Sequence, residues 1–307
     1  MRNTFINNLQ DLAEKNSKIM LLTGDLGFSV LEKFQKQFPD RFLNMGVAES
    51  NMVGAASGLA LCGMKPYIYS IVPFVTMRCY EQIRNDICYQ NVDVKIVGVG
   101  GGIVYGNLGP THHSREDIAI MRALPNMTVV CPADPIETKL IVEESVKFNG
   151  PLYIRLGKGK DPVVHKKNPN IEIGKGVMIN DGKDITIIAT GNILSTAVAS
   201  ADMLSKKGLS VRLISMHTVK PLDKEMILNA SNETKAIFTL EEHSIIGGLG
   251  SAVSEVLAEN DSKILFRRIG LEDVFEKTVG SHEYLCKLNN LSPDAITNFV
   301  FKTYKGY

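Results

Sequence analysis

The sequence predicts an α/β protein built on parallel β-sheets. Short runs of Val, Ile and Leu alternate along the chain with longer segments of helical spacing. The apolar runs are nearly continuous, as expected for strands of a parallel sheet covered by helices on both faces. This alternation is interrupted over residues 161–183, where Gly, Pro, Asn and Lys accumulate. We therefore predict a first domain over 1–160, a linker over 161–183 and a second, smaller α/β domain over 184–307.

The first domain is predicted to begin with a helix, because Phe5, Leu9 and Leu12 recur at helical spacing. The apolar runs predict strands over 18–23, 66–70, 93–99, 127–131 and 152–155. The segments between them predict helices over 51–63, 77–90, 115–123 and 134–148. In the second domain we expect strands over 184–190, 210–215, 235–240 and 263–270, with helices over 193–206, 248–259 and 292–303.

Composition excludes several classes of protein. The 34 basic and 33 acidic residues leave a net charge of +1, so nothing favours a nucleic-acid partner. The most apolar stretch, 52–64, is shorter than the roughly 20 apolar residues that span a bilayer. The N-terminus lacks the features of a signal peptide, and the five cysteines form no C-x-x-C pair. These features predict a reduced cytoplasmic protein that does not enter a membrane.

A single carboxylate, Glu49, lies in the stretch NMGVAESNMVGAASGLALCGM, residues 44–64. An acid in the first turn of a helix is stabilised by the helix dipole, and Ser50 or Asn51 is a candidate cap for the same end. The segments on both sides are apolar, however, which places Glu49 at a buried junction. A desolvated carboxylate suits an acid that exchanges one proton near neutrality.

The stretch YGNLGPTHHSRED, residues 105–117, concentrates polar groups at the start of a predicted helix. Adjacent histidines seldom bind one metal together, so we predict no metal site here and assign His112 as a general acid or a hydrogen-bond donor to substrate. For His113 a solvated loop is the favoured interpretation, with Thr111 or Ser114 as the helix cap.

Three further stretches follow predicted strands, at the sheet edge where open α/β sheets place ligands. Asp25 and Ser29, in TGDLGFS, are equally consistent with a site and with a turn. Arg155, in RLGKGK, is a candidate anion contact together with Lys158 and Lys160. The segment from Phe74 to Arg78 offers either helix core or a platform for a flat ring.

Glycines 247, 248 and 250 open a predicted helix after LEEHSII. They are consistent with a phosphate-binding helix N-terminus and with close packing of a helix on a sheet.

Taken in order, NMGVAESNMVGAASGLAL, GPTHHSREDIAIMRALPNMTVVCPAD, PLYIRLG and EEHSIIGGLGSAV followed later by GSHEYL resemble the C-terminal half of transketolase and of 1-deoxyxylulose-5-phosphate synthase. The chain resembles in particular the second subunit of a split, two-chain transketolase. This resemblance implies a thiamine diphosphate-dependent enzyme, with a pyrimidine-binding domain followed by a transketolase C-terminal domain. The implied reaction transfers a two-carbon ketol unit from a ketose to an aldose, either of them free or phosphorylated.

The resemblance also implies a role for each candidate residue. Glu49, in GVAE, would hold N1′ of the thiamine aminopyrimidine and so activate the cofactor. Phe74 and Arg78 lie where the family contacts the aminopyrimidine. By the same matching, His112, Asp25, Ser29 and Arg155 would contact substrate, Arg155 through the sugar phosphate.

Two residues depart from the family pattern. Leu108 stands where transketolase has an acid that contacts a sugar hydroxyl, and Gly100 replaces a His or Arg that helps bind phosphate. The family's diphosphate motif, GDG followed later by Asn, is not matched in this sequence. The resemblance therefore implies a partner, an N-terminal-section subunit that holds Mg²⁺ or Ca²⁺ and the diphosphate, in an α2β2 assembly with self-association through the pyrimidine and C-terminal domains.

Three alternatives to this interpretation are open. The β subunit of a 2-oxo acid dehydrogenase E1 component shares both domains and the glutamate. A deoxyxylulose synthase-like activity is disfavoured because that enzyme is usually a single chain. A non-catalytic transketolase-like scaffold subunit is favoured mildly by Leu108 and Gly100 and disfavoured by Glu49 and His112.

Overall fold

The computed structural model describes residues 1–159 and 161–307. Its earlier part contains the helices α1 Arg2–Lys15, α2 Glu32–Gln37, α3 Glu49–Leu61, α4 Val72–Thr76, α5 Tyr80–Gln82, α6 Asp117–Ala123 and α7 Pro135–Lys147. A π-helix, Ile83–Tyr89, directly follows α5. The strands are β1 Ile19–Thr23, β2 Phe42–Asn44, β3 Lys65–Ile71, β4 Lys95–Val99, β5 Thr128–Val130 and β6 Leu152–Leu156. Every strand predicted for the first domain is confirmed.

The later part continues the alternation of strands and helices. Its strands are β7 Val177–Asn180, β8 Ile185–Thr190, β9 Val211–Ser215, β10 Thr218–Lys220, β11 Ala236–Ser244 and β12 Leu265–Leu271. Its helices are α8 Leu194–Lys206, α9 Lys224–Glu233, α10 Leu249–Glu259, α11 His282–Leu288 and α12 Pro293–Lys305. The strand β7 lies inside the segment 161–183, for which the sequence predicts a linker.

The strands form two sheets, which confirms the α/β prediction. The first has seven strands in the order β10-β5-β6-β4-β3-β1-β2, and the second has five in the order β12-β11-β8-β9-β7. All pairings are parallel except β10 with β5 and β7 with β9. β10 comes from the later part of the chain, so that part also contributes a strand to the first sheet.

The continuous apolar runs correspond to strands that are buried along their whole length. Every residue of β1, β4, β6, β8 and β9 is buried. Helices cover both faces of the first sheet, with separate apolar clusters on each side. This double coverage explains why the strands do not alternate between apolar and polar residues.

The topology brings several connections to one edge of the first sheet. Because β4, β3, β1 and β2 are parallel neighbours, the segments that follow them all start at the carboxyl edge. Those segments are the loop before α2, the helices α3 and α4, and the loop between β4 and α6. Within the described residues, no helix combines the length and apolar character that crossing a membrane requires.

Candidate functional site

Glu49 is the first residue of α3 and is buried at the carboxyl edge of the sheet, with 1% of its surface exposed. The preceding residue, Ala48, contributes no side-chain cap. Glu49 Oε2 lies 2.5 Å from Arg78 Nη1, and Oε1 lies 3.4 Å from Ser70 Oγ. A methyl group on Gly24 would come within 3.3 Å of Oε1, so the neighbouring backbone also closes over the carboxylate.

Three side chains in successive contact lead from Glu49 toward the surface, namely Arg78, Phe74 and His112. The Arg78 guanidinium lies over the Phe74 ring at 4.5 Å from its centroid, and the Phe74 ring meets the His112 ring edge-on at 5.2 Å. His112 Nδ1 lies 3.0 Å from Thr111 Oγ1. The structure thus brings together four residues predicted for the site, Glu49, Phe74, Arg78 and His112, although they come from three connections.

Asp25 and Ser29 lie in the adjacent loop after β1. Both have positive φ angles, 54° and 62°, which non-glycine residues seldom adopt. Asp25 Oδ1 accepts a hydrogen bond from Asn44 Nδ2 at 3.0 Å, and the Asp25 N–H donates to Asn44 Oδ1 at the same distance. The Ser29 N–H donates to Glu32. Both side chains are exposed, so the loop presents them to solvent beside Gly24.

Arg155 does not present a free guanidinium, contrary to its prediction as a phosphate contact. It is 4% exposed and forms a buried ion pair with Asp117, at 2.7 Å between Nε and Oδ2. Its Nη2 also donates to the carbonyls of Ser114 and Glu242. Burial favours the neutral form of Asp117, but Arg155 holds the pKa of that carboxyl below its usual range. Arg155 therefore joins the loop after β4 to the end of β11.

The glycine cluster before α10 is not an open phosphate cradle. The Glu241 carboxylate accepts the N–H groups of Leu249 and Gly250 at 2.7 and 2.8 Å and so fills the helix N-terminus. Burial raises the pKa of Glu241 to about 7 despite these two hydrogen bonds. Gly248 has no room for a side chain against Glu241, which supports the close-packing interpretation.

His113 is buried, at 4% exposure, and not in a solvated loop. Burial and the nearby Arg115 lower its pKa. The predicted caps are also wrong, because α6 begins at Asp117 after Glu116 and receives no side-chain cap. Ser114 instead pairs with Gly102 through two backbone hydrogen bonds.

Gly100 and Leu108, the two residues that depart from the family pattern, lie in the loop between β4 and α6. Gly100 has a φ of +83°, and a methyl group there would collide with the ring of Tyr105. Tyr105 is buried, and its ring contacts Lys158, whose Nζ lies 4.6 Å from the ring centroid. Leu108 is 46% exposed. Tyr105 thus occupies the space that a side chain at position 100 would need.

Sequence reasoning missed three residues that shape the site, Asn44, Tyr105 and Asp117. Asn44 is the last residue of β2 and orients Asp25 through a hydrogen bond. An Asn at the end of a strand and before a glycine is typical of a turn, so the sequence did carry a signal for this residue. Asp117 is recognisable only through its distant partner, Arg155.

Comparison with known proteins identifies the family. Residues 1–162 match the model of the transketolase pyrimidine-binding domain, and residues 174–296 match that of the transketolase C-terminal domain. The chain is 38% identical over 308 residues to a putative transketolase C-terminal section from Methanocaldococcus jannaschii, covering 99% of this chain and 96% of that protein.

Two further similarities agree with this result. A 6-deoxy-6-sulfo-D-fructose transketolase subunit from Clostridium sp. is 37% identical, covering 93% of this chain and 88% of its own length. A solved structure described as a split gene transketolase, an inactive beta4 tetramer, aligns with a TM-score of 0.92 and 38% identity, covering 99% of this chain and 98% of its own. The chain therefore belongs to the transketolase family, in which it corresponds to the C-terminal section of a split transketolase.

Proposed function

We propose that this chain is the pyrimidine-binding subunit of a heteromeric thiamine diphosphate-dependent transketolase. The observation that carries the proposal is a carboxylate, Glu49, buried at the carboxyl edge of the sheet and continued outward by Arg78, Phe74 and His112. The enzyme would transfer a two-carbon ketol unit from a ketose to an aldose. When bound, the cofactor supplies the electron sink for breaking the carbon–carbon bond beside the ketose carbonyl.

The donor set around Glu49 fits an aminopyrimidine. Among residues 1–159 and 161–307, the one hydrogen-bond partner of Glu49 Oε1 is the Ser70 hydroxyl at 3.4 Å, which is longer than an ordinary O–H···O hydrogen bond. Oε2 is paired with Arg78, whose side chain is 44% exposed and has room to move outward. Glu49 would then hold a proton at N1′, with the Phe74 ring beside the pyrimidine and Arg78 at its edge. The buried position shields that proton from water.

The outer residues would contact the sugar. His112 extends past Phe74 toward solvent and would donate a hydrogen bond to a substrate oxygen. Asp25 and Ser29 are held in positive-φ conformations by a loop that also orients Asp25 through Asn44. Such strained conformations concentrate at binding sites, which supports a role for this loop in reading sugar hydroxyls.

A second polypeptide would complete this site. The loops around Glu49 expose large apolar side chains to solvent, with Phe28 at 73% and Val47 at 74%. The relative of solved structure forms a beta4 tetramer that is described as inactive, which supports partner dependence. We propose that an N-terminal-section subunit covers these loops, holds the diphosphate and Mg²⁺ or Ca²⁺, and forms an α2β2 assembly. Self-association would pass through the pyrimidine and C-terminal domains.

The test is turnover by the chain reconstituted with its N-terminal-section partner, using ketose donors and, separately, pyruvate. Glu49→Gln should lower turnover at least about a hundredfold while native mass spectrometry still shows the complex. Glu225→Gln is the matched control, because Glu225 is an exposed acid in the first turn of α9. Turnover with pyruvate alone would support the 2-oxo acid dehydrogenase alternative. Unchanged ketose turnover in Glu49→Gln would refute the proton role.

A further inference from the structure

Three potential metal ligands converge at the junction between β11 and α11. Glu242 lies near the end of β11, while His282 and Cys286 lie one turn apart on α11. His282 Nε2 lies 2.9 Å from Glu242 Oε2 and 3.3 Å from Cys286 Sγ. Among residues 1–159 and 161–307, this is the one group of three His, Cys, Asp or Glu side chains whose donor atoms all lie within 4.8 Å of one another.

We propose that Glu242, His282 and Cys286 bind a transition-metal ion of the Zn²⁺ class, with a fourth position open to water. The three groups are an imidazole nitrogen, a thiol sulfur and a carboxylate oxygen, which are the ligands that Zn²⁺ takes in proteins. Ligand distances of about 2.0–2.3 Å are compatible with an ion between donor atoms that all lie within 4.8 Å of one another. Binding requires the Cys286 thiol and the His282 imidazolium, which is paired with Glu242, to release their protons to solvent, so two protons leave as the metal–sulfur and metal–nitrogen bonds form.

The surrounding contacts hold the carboxylate ligand in place. Glu242 is 1% exposed, and its Oε1 accepts the N–H of Ile103 at 2.8 Å. Its Oε2 accepts a hydrogen bond from Asn192 Nδ2 at 3.1 Å. Carboxylates that bind metals in proteins are typically held in place by hydrogen bonds of this kind. The His282 side chain is 38% exposed, which leaves an approach from solvent for the ion.

The position of the site suggests its role. Ile103 belongs to the loop after β4 that leads to His112, and Gly106 of the same loop accepts a hydrogen bond from Gly280, just before α11. A bound ion would therefore fix α11 and the β4 loop to the end of β11. The soft thiol distinguishes this site from the oxygen-ligated Mg²⁺ or Ca²⁺ of the proposed cofactor.

The experiment is a titration of the purified, metal-free full-length chain with Co²⁺, followed by absorption spectroscopy. We expect about one equivalent to bind, with d–d bands of a four-coordinate ion and a near-ultraviolet thiolate-to-cobalt charge-transfer band. Cys286→Ser should abolish the charge-transfer band. Cys62→Ser is the matched control and should retain it, because Cys62 is an exposed cysteine far outside the cluster. Added Zn²⁺ should displace the cobalt and bleach both sets of bands.

His282→Gln provides a second variant at a partly exposed position and should weaken cobalt binding at least tenfold. A chain that binds no cobalt through sulfur, or a Cys286→Ser variant with the spectrum of the parent, overturns the proposal. The readout needs neither thiamine diphosphate nor a partner chain, so its outcome is independent of whether the proposed transketolase activity is found.

Discussion

Replacing Arg155 with Met tests whether this residue is a structural ion pair or a phosphate ligand. Arg155 donates two hydrogen bonds to Asp117 and two to backbone carbonyls, all of them buried. Met has a similar length but no charge, so the variant leaves the Asp117 carboxylate with the Tyr153 hydroxyl as its one hydrogen-bond donor among the described residues. Breaking a buried pair from one side costs about 3–5 kcal/mol.

A loss of this size is a large part of the free energy of unfolding of a typical domain, which is about 5–15 kcal/mol. We therefore expect Arg155→Met to lower the free energy of unfolding by about 4 kcal/mol, measured by urea titration. The unpaired carboxylate would be protonated more readily in the folded chain than in the unfolded one. The destabilisation should consequently shrink as the pH is lowered toward 5. The double variant with Asp117→Asn should recover part of the loss, since it removes the unpaired charge.

Lys158→Met is the matched control, because Lys158 is a basic residue two positions after β6 whose ammonium lies over the Tyr105 ring and forms no ion pair with another described residue. It should change the free energy of unfolding by less than about 1 kcal/mol. The reasoning is refuted if the free energy of unfolding of Arg155→Met lies within about 1 kcal/mol of that of the parent while the KM for a phosphorylated sugar rises strongly. That result would restore the sequence-based assignment of Arg155 as a phosphate ligand.

Three further predictions concern the framework. Burial lowers the pKa of Lys95 to about 8 from 10.5, so the unfolded chain binds more protons than the folded chain between these pH values. The free energy of unfolding should therefore rise by up to about 3 kcal/mol as the pH increases through this range. Lys95→Met should abolish that rise in urea titrations. Gly100→Ala should cost about 1–3 kcal/mol, because it combines a φ of +83° with a collision against Tyr105, and Tyr105→Leu in the same chain should return part of that loss. Asp134→Ala removes the N-cap of α7 and the acceptor of two further N–H groups, including that of His165. It should lower the free energy of unfolding by about 2–4 kcal/mol and speed hydrogen exchange at the His165 amide. Asp134→Asn should cost less than Asp134→Ala, and equal losses would contradict the capping argument.

The sequence predicted the long strands well because their signal is local and strong. The continuous apolar runs of β1, β4 and β8 are buried at every residue, so composition alone indicates them. The three-residue strands β2 and β10 carry too few residues for such a pattern. Pairing of β10 with β5 joins segments about 90 residues apart, and no local pattern contains that information.

The same distinction applies to the side-chain environments that were expected at the candidate site. The burial of Glu49 was predicted from apolar segments immediately before and after it in the chain. The partners of Arg155 lie 38, 41 and 87 residues away, so a basic residue at the end of a strand looked like an available anion contact. The glycines before α10 were ambiguous for a related reason, since the Glu241 carboxylate reaches them only through the fold.

These contacts also bear on the substrate. In this chain Arg155 forms a buried ion pair with Asp117, and the ring of Tyr105 fills the space beside Gly100. Leu108 stands where the family resemblance implies an acid. Three positions at which the family resemblance implies sugar or phosphate contacts therefore offer no free polar group. Under the proposed activity, we expect Lys158 or the partner chain to contact an anionic group on the sugar. We therefore propose that the region around Arg155, Tyr105 and Leu108, and not Glu49, sets the specificity of this subunit.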